Sequence, residues 1–173
     1  MSWGYDLFGQ VSNTPQGTDF IAIAAGDNHN LALRTDGSII SWGNNSDREV
    51  SDTPIGEFID IDGGHYHSLA LTVDGYILSW GGNDYNVVTD TPQEGGFIDI
   101  AAGQHHNLGL RADGSIISWG KDDFGQVSDT PEGIGFTAID GGGWHSLAII
   151  PEPFSLSLLA LGGLGLLRRR MSK

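Results

Sequence analysis

Short apolar runs alternate along the chain with stretches rich in glycine, asparagine and aspartate, and no run outside the C-terminal end is long enough for a helix. Phe20 to Ala25 (FIAIAA) is apolar with β-branched residues, Leu31 to Arg34 alternates, and Ser38 to Trp42 (SIISW) is a third run. A weaker fourth run falls near Glu49 to Ser51. Each is bounded by Gly, Asp-Gly or Thr-Pro, so each predicts a strand. Asp36-Gly37 suits a tight hairpin because glycine accepts positive φ, and the proline after the fourth run has no amide to donate, which marks a crossover out of the sheet.

The pattern repeats. Trp-Gly recurs at Trp3, Trp42, Trp80 and Trp119, and Gly-x-x-His at His29, His67, His106 and His145. Thr-Pro follows in the same phase at Pro15, Pro54, Pro92 and Pro131. Four antiparallel strands in about 40 residues predict the blade of a propeller. The expected fold is therefore all-β: a β-propeller of four-stranded blades with a period of about 39 residues. Whole units are expected at about 20–57, 58–95 and 96–134, with half-units at 1–19 and 135–150. The halves either combine into one split blade that closes a four-bladed ring and removes its sheet edges, or belong to a larger ring whose start lies upstream.

Composition sharpens this. Glycine, at 27 residues, has no G-X-Y period and so reports turns rather than collagen. The formal net charge is −14, and four of the eight basic residues lie in the last six positions. The part before Pro151 keeps 4 basic and 21 acidic residues, a net −17. Such a surface repels phosphate backbones, which argues against nucleic acid and for partners that are neutral, cationic or bridged by cations. There is no cysteine, hence no disulfide and no thiolate chemistry. The N-terminus shows neither the basic nor the apolar region of a signal peptide.

The unit G-x-x-H-[SN]-L-A-L-x-x-D-G-x-I-x-S-W-G resembles the repeat of the regulator of chromosome condensation family, in the shorter bacterial form that also builds a propeller-type β-lactamase inhibitor. The likeness covers about residues 1–150. The Gly-Gln that follows the Trp-Gly loop is present at Gly9-Gln10 and Gly125-Gln126 but becomes Arg48-Glu49 and Asn86-Val87, so no ligand carries over. The tail Pro151-Glu152-Pro153, the apolar Phe154 to Leu167, and Arg168-Arg169-Arg170 resemble a PEP-CTERM sorting signal. That resemblance implies an exported body, an exosortase-type processing enzyme as partner, and transient anchoring in the membrane by a short C-terminal hydrophobic helix. Fourteen helical residues rise about 21 Å, less than the roughly 30 Å hydrocarbon core, so the segment needs bilayer thinning or snorkelling arginines; the position of the arginines favours a cytoplasmic C-terminus. An exported body without a visible signal favours an upstream start.

The recurring residues Trp3, Trp42, Trp80, Trp119, His29, His67, His106 and His145 read as blade scaffold rather than as a catalytic or metal-binding ring. Asp60 and Asp62 share one strand face, without any calcium-loop spacing. No hydrolase, metalloprotease or nucleotide motif occurs, and no cofactor is expected. Strand order places the Gly-x-x-His and Trp-Gly loops on one rim. Unit-specific residues collect there: Tyr5, Phe8, Asn44, Asn45, Asp47, His65, Tyr66, Asp84, Tyr85, His105, Asp122, Asp123, Phe124 and Trp144. The expected function is a non-catalytic, envelope-associated binding or scaffold propeller recognising a protein or an extracellular polysaccharide through that rim. The alternatives are a secreted protein inhibitor or an enzyme acting on polysaccharide.

Overall fold

The computed structural model describes residues 1–151; the rest of the sorting tail, Glu152 and Pro153 through Arg168, Arg169 and Arg170, lies outside the described residues. The body is all-β. The first unit forms β1 (Phe20–Ala25), β2 (His29–Arg34) and β3 (Ile39–Gly43); the second β4 (Phe58–Gly63), β5 (His67–Thr72) and β6 (Ile77–Gly81); the third β7 (Phe97–Ala102), β8 (His106–Arg111) and β9 (Ile116–Gly120). A last pair, β10 (Ala138–Gly141) and β11 (Ser146–Ile149), makes a two-stranded sheet. Each whole unit is a three-stranded antiparallel meander in which, for example, Asn30 faces Trp42 and Leu31 faces Ser41.

The expected fourth strand is a knot of turns instead. Around Glu49 the amides of Val50 and Ser51 donate to Asn45 Oδ1, and the Glu49 carbonyl accepts from the indole of Trp80 in the next unit. With these groups taken, the segment has nothing to offer a β-ladder. Arg48 and Asn86 occupy the positive-φ position that Gly9 and Gly125 fill elsewhere, at φ 68° and 63°.

Successive sheets pack face to face. Leu31 and Leu33 meet Phe58, Ile61 and Trp80; Leu69, Leu71 and Ile77 meet Phe97, Ile100 and Trp119; Leu108 and Leu110 meet Phe136 and Ile139. Each fully buried leucine stabilises by about 1.5–3 kcal/mol. The polar contacts repeat in step. His29 Nε2 lies 2.8 Å from Ser68 Oγ, His67 Nε2 2.6 Å from Asn107 Oδ1, and His106 Nε2 2.9 Å from Ser146 Oγ, each in the following unit. The indoles of Trp42, Trp80 and Trp119 donate back to the carbonyls of Gln10, Glu49 and Val87 at 2.8–3.0 Å. The glycine of Gly-x-x-His is explained by the same ring: a Cβ at Gly26, Gly64 or Gly103 would overlap the imidazole three residues on.

The ends depart from expectation. Residues 1–19 contain no strand and pack on the first blade, where Gln10 O accepts from Asn30 and Trp42. Among the described residues they share no sheet with β10 and β11, so the described body is an open arc without the split blade. Trp3 and His145, read as scaffold, are exposed, Trp3 by 84% against 5% for Trp80, since no described unit stands where their equivalents are buried.

Burial depresses His29 and His67 from 6.5 to about 4, so both imidazoles are neutral at pH 7. The stability linked to them is complete above pH 6.5 and is lost as pH falls towards 4. Burial raises the carboxyls of Asp60, Asp62 and Asp99 above 3.8, an opposing contribution that is lost as pH rises through their folded values. His67→Gln removes one titrating group. Denaturant unfolding of this variant should show a free energy that falls less steeply from roughly pH 6 to 4.5, by up to about 1.4 kcal/mol per pH unit. Identical slopes in parent and variant would mean that His67 takes up its proton alike in the folded and unfolded chain, and that burial does not depress it.

Candidate binding rim

The strand order puts two loops of each unit side by side. The amides of Asn44, Gly82 and Lys121, just past each third strand, donate to the carbonyls of Asn28, Tyr66 and His105 in the Gly-x-x-His loops, at 2.6–2.8 Å. Those three carbonyl residues and Trp144 occupy one repeat register, which the scaffold leaves free to vary.

Side chains from neighbouring units meet across this rim as a continuous ladder. His65 stacks on Tyr66 with ring centroids 3.6 Å apart and meets the edge of His105 at 4.9 Å. His105 touches Tyr85 at 5.2 Å and Trp144 at 6.0 Å, and Trp144 touches Phe124 at 5.7 Å. Tyr85, Phe124 and Trp144 remain largely exposed. The ladder is tied down by charge. Lys121 Nζ sits 4.5 Å from the ring centroids of both Tyr85 and Trp144, 3.2 Å from Tyr85 Oη and 3.1 Å from Asp123. At the other end Asp27 lies 3.1 Å from His65 Nε2. Burial, then repulsion from His65 and Lys121, lowers the pKa of His105, whereas the ammonium of Lys121 is held above its ordinary value because its bonds to Asp123 and Tyr85 outweigh desolvation.

Of the expected rim residues, the structure brings His65, Tyr66, Tyr85, His105, Asp123, Phe124 and Trp144 together. Asp84 is exposed beside Tyr85. Tyr5 is exposed on the N-terminal segment and makes none of these ring contacts. Asn44 is buried instead, bonded to Ser46 and Glu49. Asn45 and Asp122 are committed to their own loops: Asn45 Oδ1 accepts the amides of Val50 and Ser51, and Asp122 Oδ1 those of Val127 and Ser128. Asp6 and Asn83 play the same part in their units. Sequence reasoning missed Lys121 and Asp27. Lys121 stands in the register of Tyr5, Asn44 and Gly82, and Asp27 in that of His65, so a column-by-column comparison of the units flags both.

The rim offers stacking surface, edge polarity and a fixed cation, Lys121. Asp60 and Asp62 are occupied by strand amides, Asp62 by that of Ala102 across the blade interface at 2.7 Å. Among the described residues no group of three His, Asp or Glu is disposed to hold a metal.

An arc of repeat blades joined by histidine and tryptophan latches, with variable residues on one loop rim, defines a propeller of the repeat-built class. The regulator of chromosome condensation (RCC1) repeat model matches residues 20–48, 58–86 and 97–126, just over half of the chain, and the chain belongs to that family. No curated protein sequence matches it. Among solved structures it is similar to the CRINKLY WD40 ectodomain of the Arabidopsis thaliana receptor kinase ACR4, at 24% identity and a TM-score of 0.63 over 79% of this chain and 48% of that one. It is also similar to Prp20p of Saccharomyces cerevisiae, at 24% identity and 0.65 over 80% and 44%, and to yeast RCC1 bound to Kap60, at 23% and 0.64 over 79% and 43%. The likeness is one of fold, and the chain spans less than half the length of these proteins.

Asn45→Ala and Asp122→Ala separate loop support from ligand contact. Each leaves two amides without their acceptor and should lower stability by about 1–2 kcal/mol in chemical denaturation. Unchanged stability in both would return these residues to the list of ligand contacts.

Proposed function

We propose that the protein is a non-catalytic, exported binding module that holds a cationic or neutral segment of a partner protein against the rim ladder. The observation that carries this reading is the continuous run of rings from Tyr66 to Phe124, built from residues that the blade scaffold does not require. Rings supply contact area at little entropic cost, and the net negative body draws in positive charge. Two of the matched yeast structures fit this class of role: one is described with Kap60 bound, the other with binding to Gsp1p and histones. The plant relative carries its propeller as an ectodomain, in keeping with an exported body. Neutral polysaccharide is the second reading, favoured by the exposed faces of Tyr85, Phe124 and Trp144, on which sugar rings stack.

Export and anchoring rest on the tail motif Pro151-Glu152-Pro153, its apolar stretch and Arg168 to Arg170. No helix among the described residues is long and apolar enough to cross a membrane. An exosortase-type enzyme is the expected processing partner.

Tyr66→Ala with Trp144→Ala should abolish capture of envelope proteins by the immobilised chain while leaving its melting temperature nearly unchanged. Retardation in gels containing neutral glucan, lost in the same variant, would turn the reading to polysaccharide. A double variant that binds like the parent, or that unfolds, would remove the rim from consideration. Separately, deleting residues 154–173 should move the body from the membrane to the soluble fraction in a host with an exosortase. Unchanged fractionation would refute the sorting reading.

A further inference from the structure

Lys121 is the only lysine before the C-terminal tail, and its ammonium sits where a bound guest would. Nζ lies 4.5 Å from the ring centroids of Tyr85 and Trp144, 3.2 Å from Tyr85 Oη and 3.1 Å from Asp123. Two π-faces, a phenol oxygen and a carboxylate around one point are the elements of a cation receptor. The lysine side chain is 10% exposed, whereas that of Asp123 is 62% exposed and Tyr85 is half exposed, so the walls of the receptor reach solvent while its content does not. An open cleft of about 390 Å³, lined by Lys121, Phe124 and Trp144, lies directly beside the ammonium.

The blade demands neither this lysine nor this placement of the rings. The same register holds Tyr5, Asn44 and Gly82 in the other units, and what the scaffold uses at Asn44, Gly82 and Lys121 is the backbone amide. Tyr85 reaches the ammonium from a left-handed backbone, φ 58°, whereas Phe8, Asp47 and Phe124 at the equivalent place have no positive φ. A residue with a Cβ is strained in that conformation, and such strain gathers where a ligand is gripped.

We propose that Tyr85, Trp144 and Asp123 form a receptor for an arginine side chain of the partner, and that Lys121 is its resident occupant, expelled when the arginine enters. The site presupposes the rim as the binding surface and names the group recognised there. Arginine suits it better than the lysine it replaces. A guanidinium is planar and more weakly hydrated than an ammonium, so it lies against ring faces at a smaller desolvation cost. Its forked N–H groups donate to the Asp123 carboxylate and to Tyr85 Oη together, whereas a quaternary ammonium has no N–H for either acceptor. Lys121, being attached, competes with every guest. Only a cation that gains more in the receptor, or one delivered by a segment already seated on the neighbouring rings, displaces it.

Labelling reads the exchange in the full-length parent. Acylation of Lys121 by an amine-reactive ester, followed by peptide mass spectrometry, should accelerate several-fold on addition of N-acetyl-arginine amide, with the exposed amine of Met1 as the unchanged reference. Lys121→Ala, which empties the receptor, should bind the same probe about tenfold more tightly than the parent in a calorimetric titration. Tyr85→Leu in that variant should remove the gain, and N-acetyl-lysine amide should bind several-fold more weakly than the arginine probe. A labelling rate unmoved by saturating probe would overturn the proposal. So would no gain on removing Lys121, a gain that survives the loss of Tyr85, or equal affinity for the two probes. A chain that captures its partner through Tyr66 and Trp144 and yet fails these titrations keeps the rim and loses the arginine receptor.

Discussion

Every blade depends on the one beside it. A three-stranded sheet with strands of five or six residues cannot bury its own faces, and here each face is finished by a neighbour: two leucines against a phenylalanine, an isoleucine and a tryptophan, with one histidine and one indole bonded across the seam. The histidine requires the next unit's Ser or Asn, and the indole requires the preceding unit's loop carbonyl. These two demands hold the period near 39 residues and leave little room for change at the glycine, histidine and tryptophan positions. Where no neighbour stands, at Trp3, Ile23, His145 and Leu147, the same residues are exposed.

The seam also determines where variation is tolerated. It uses the first and last residues of the Gly-x-x-His loop and a single carbonyl of the loop after Trp-Gly. The side chains of the two middle residues of the first loop and of the residue after the second glycine are therefore not fixed by the seam, although Asn44 at the last of these turns inward to its own loop. Chemistry collects at those positions: Asp27, His65, Tyr66, His105, Lys121 and Trp144. Because the blades fan about one axis, side chains 39 or 40 residues apart in sequence come within contact distance on the rim, and the ladder is a property of the arc rather than of any unit.

Buried polar groups trace the same logic. Glu49 stands in the place of Gln10 and Gln126, fully buried, with its carboxyl pKa raised by desolvation. It accepts the Asp47 amide as Gln10 and Gln126 accept those of Phe8 and Phe124. A carboxyl serves there because its loop uses an acceptor and not a particular charge, whereas Val87, buried at the same place in the next unit, provides neither.

The sequence alone determined the first three strands of each whole unit, their order, the period and the rim on which the variable loops lie, since alternation, Asp-Gly turns and recurring Trp-Gly and Gly-x-x-His report local geometry that repeats in register. It also identified His65, Tyr66, His105 and Trp144 as departures from the scaffold. Tertiary structure decided the rest. Glu49 to Ser51 became turns because Asn45 and Trp80 took the bonds a strand would need. Asn44, Asn45 and Asp122 turned inward to support loops, which polar composition cannot distinguish from facing a ligand. Lys121 acquired its role from two rings that belong to other units. A single run of residues specifies the groups it contributes, but which of them meet is settled by the angle between blades, and that angle comes from packing between units.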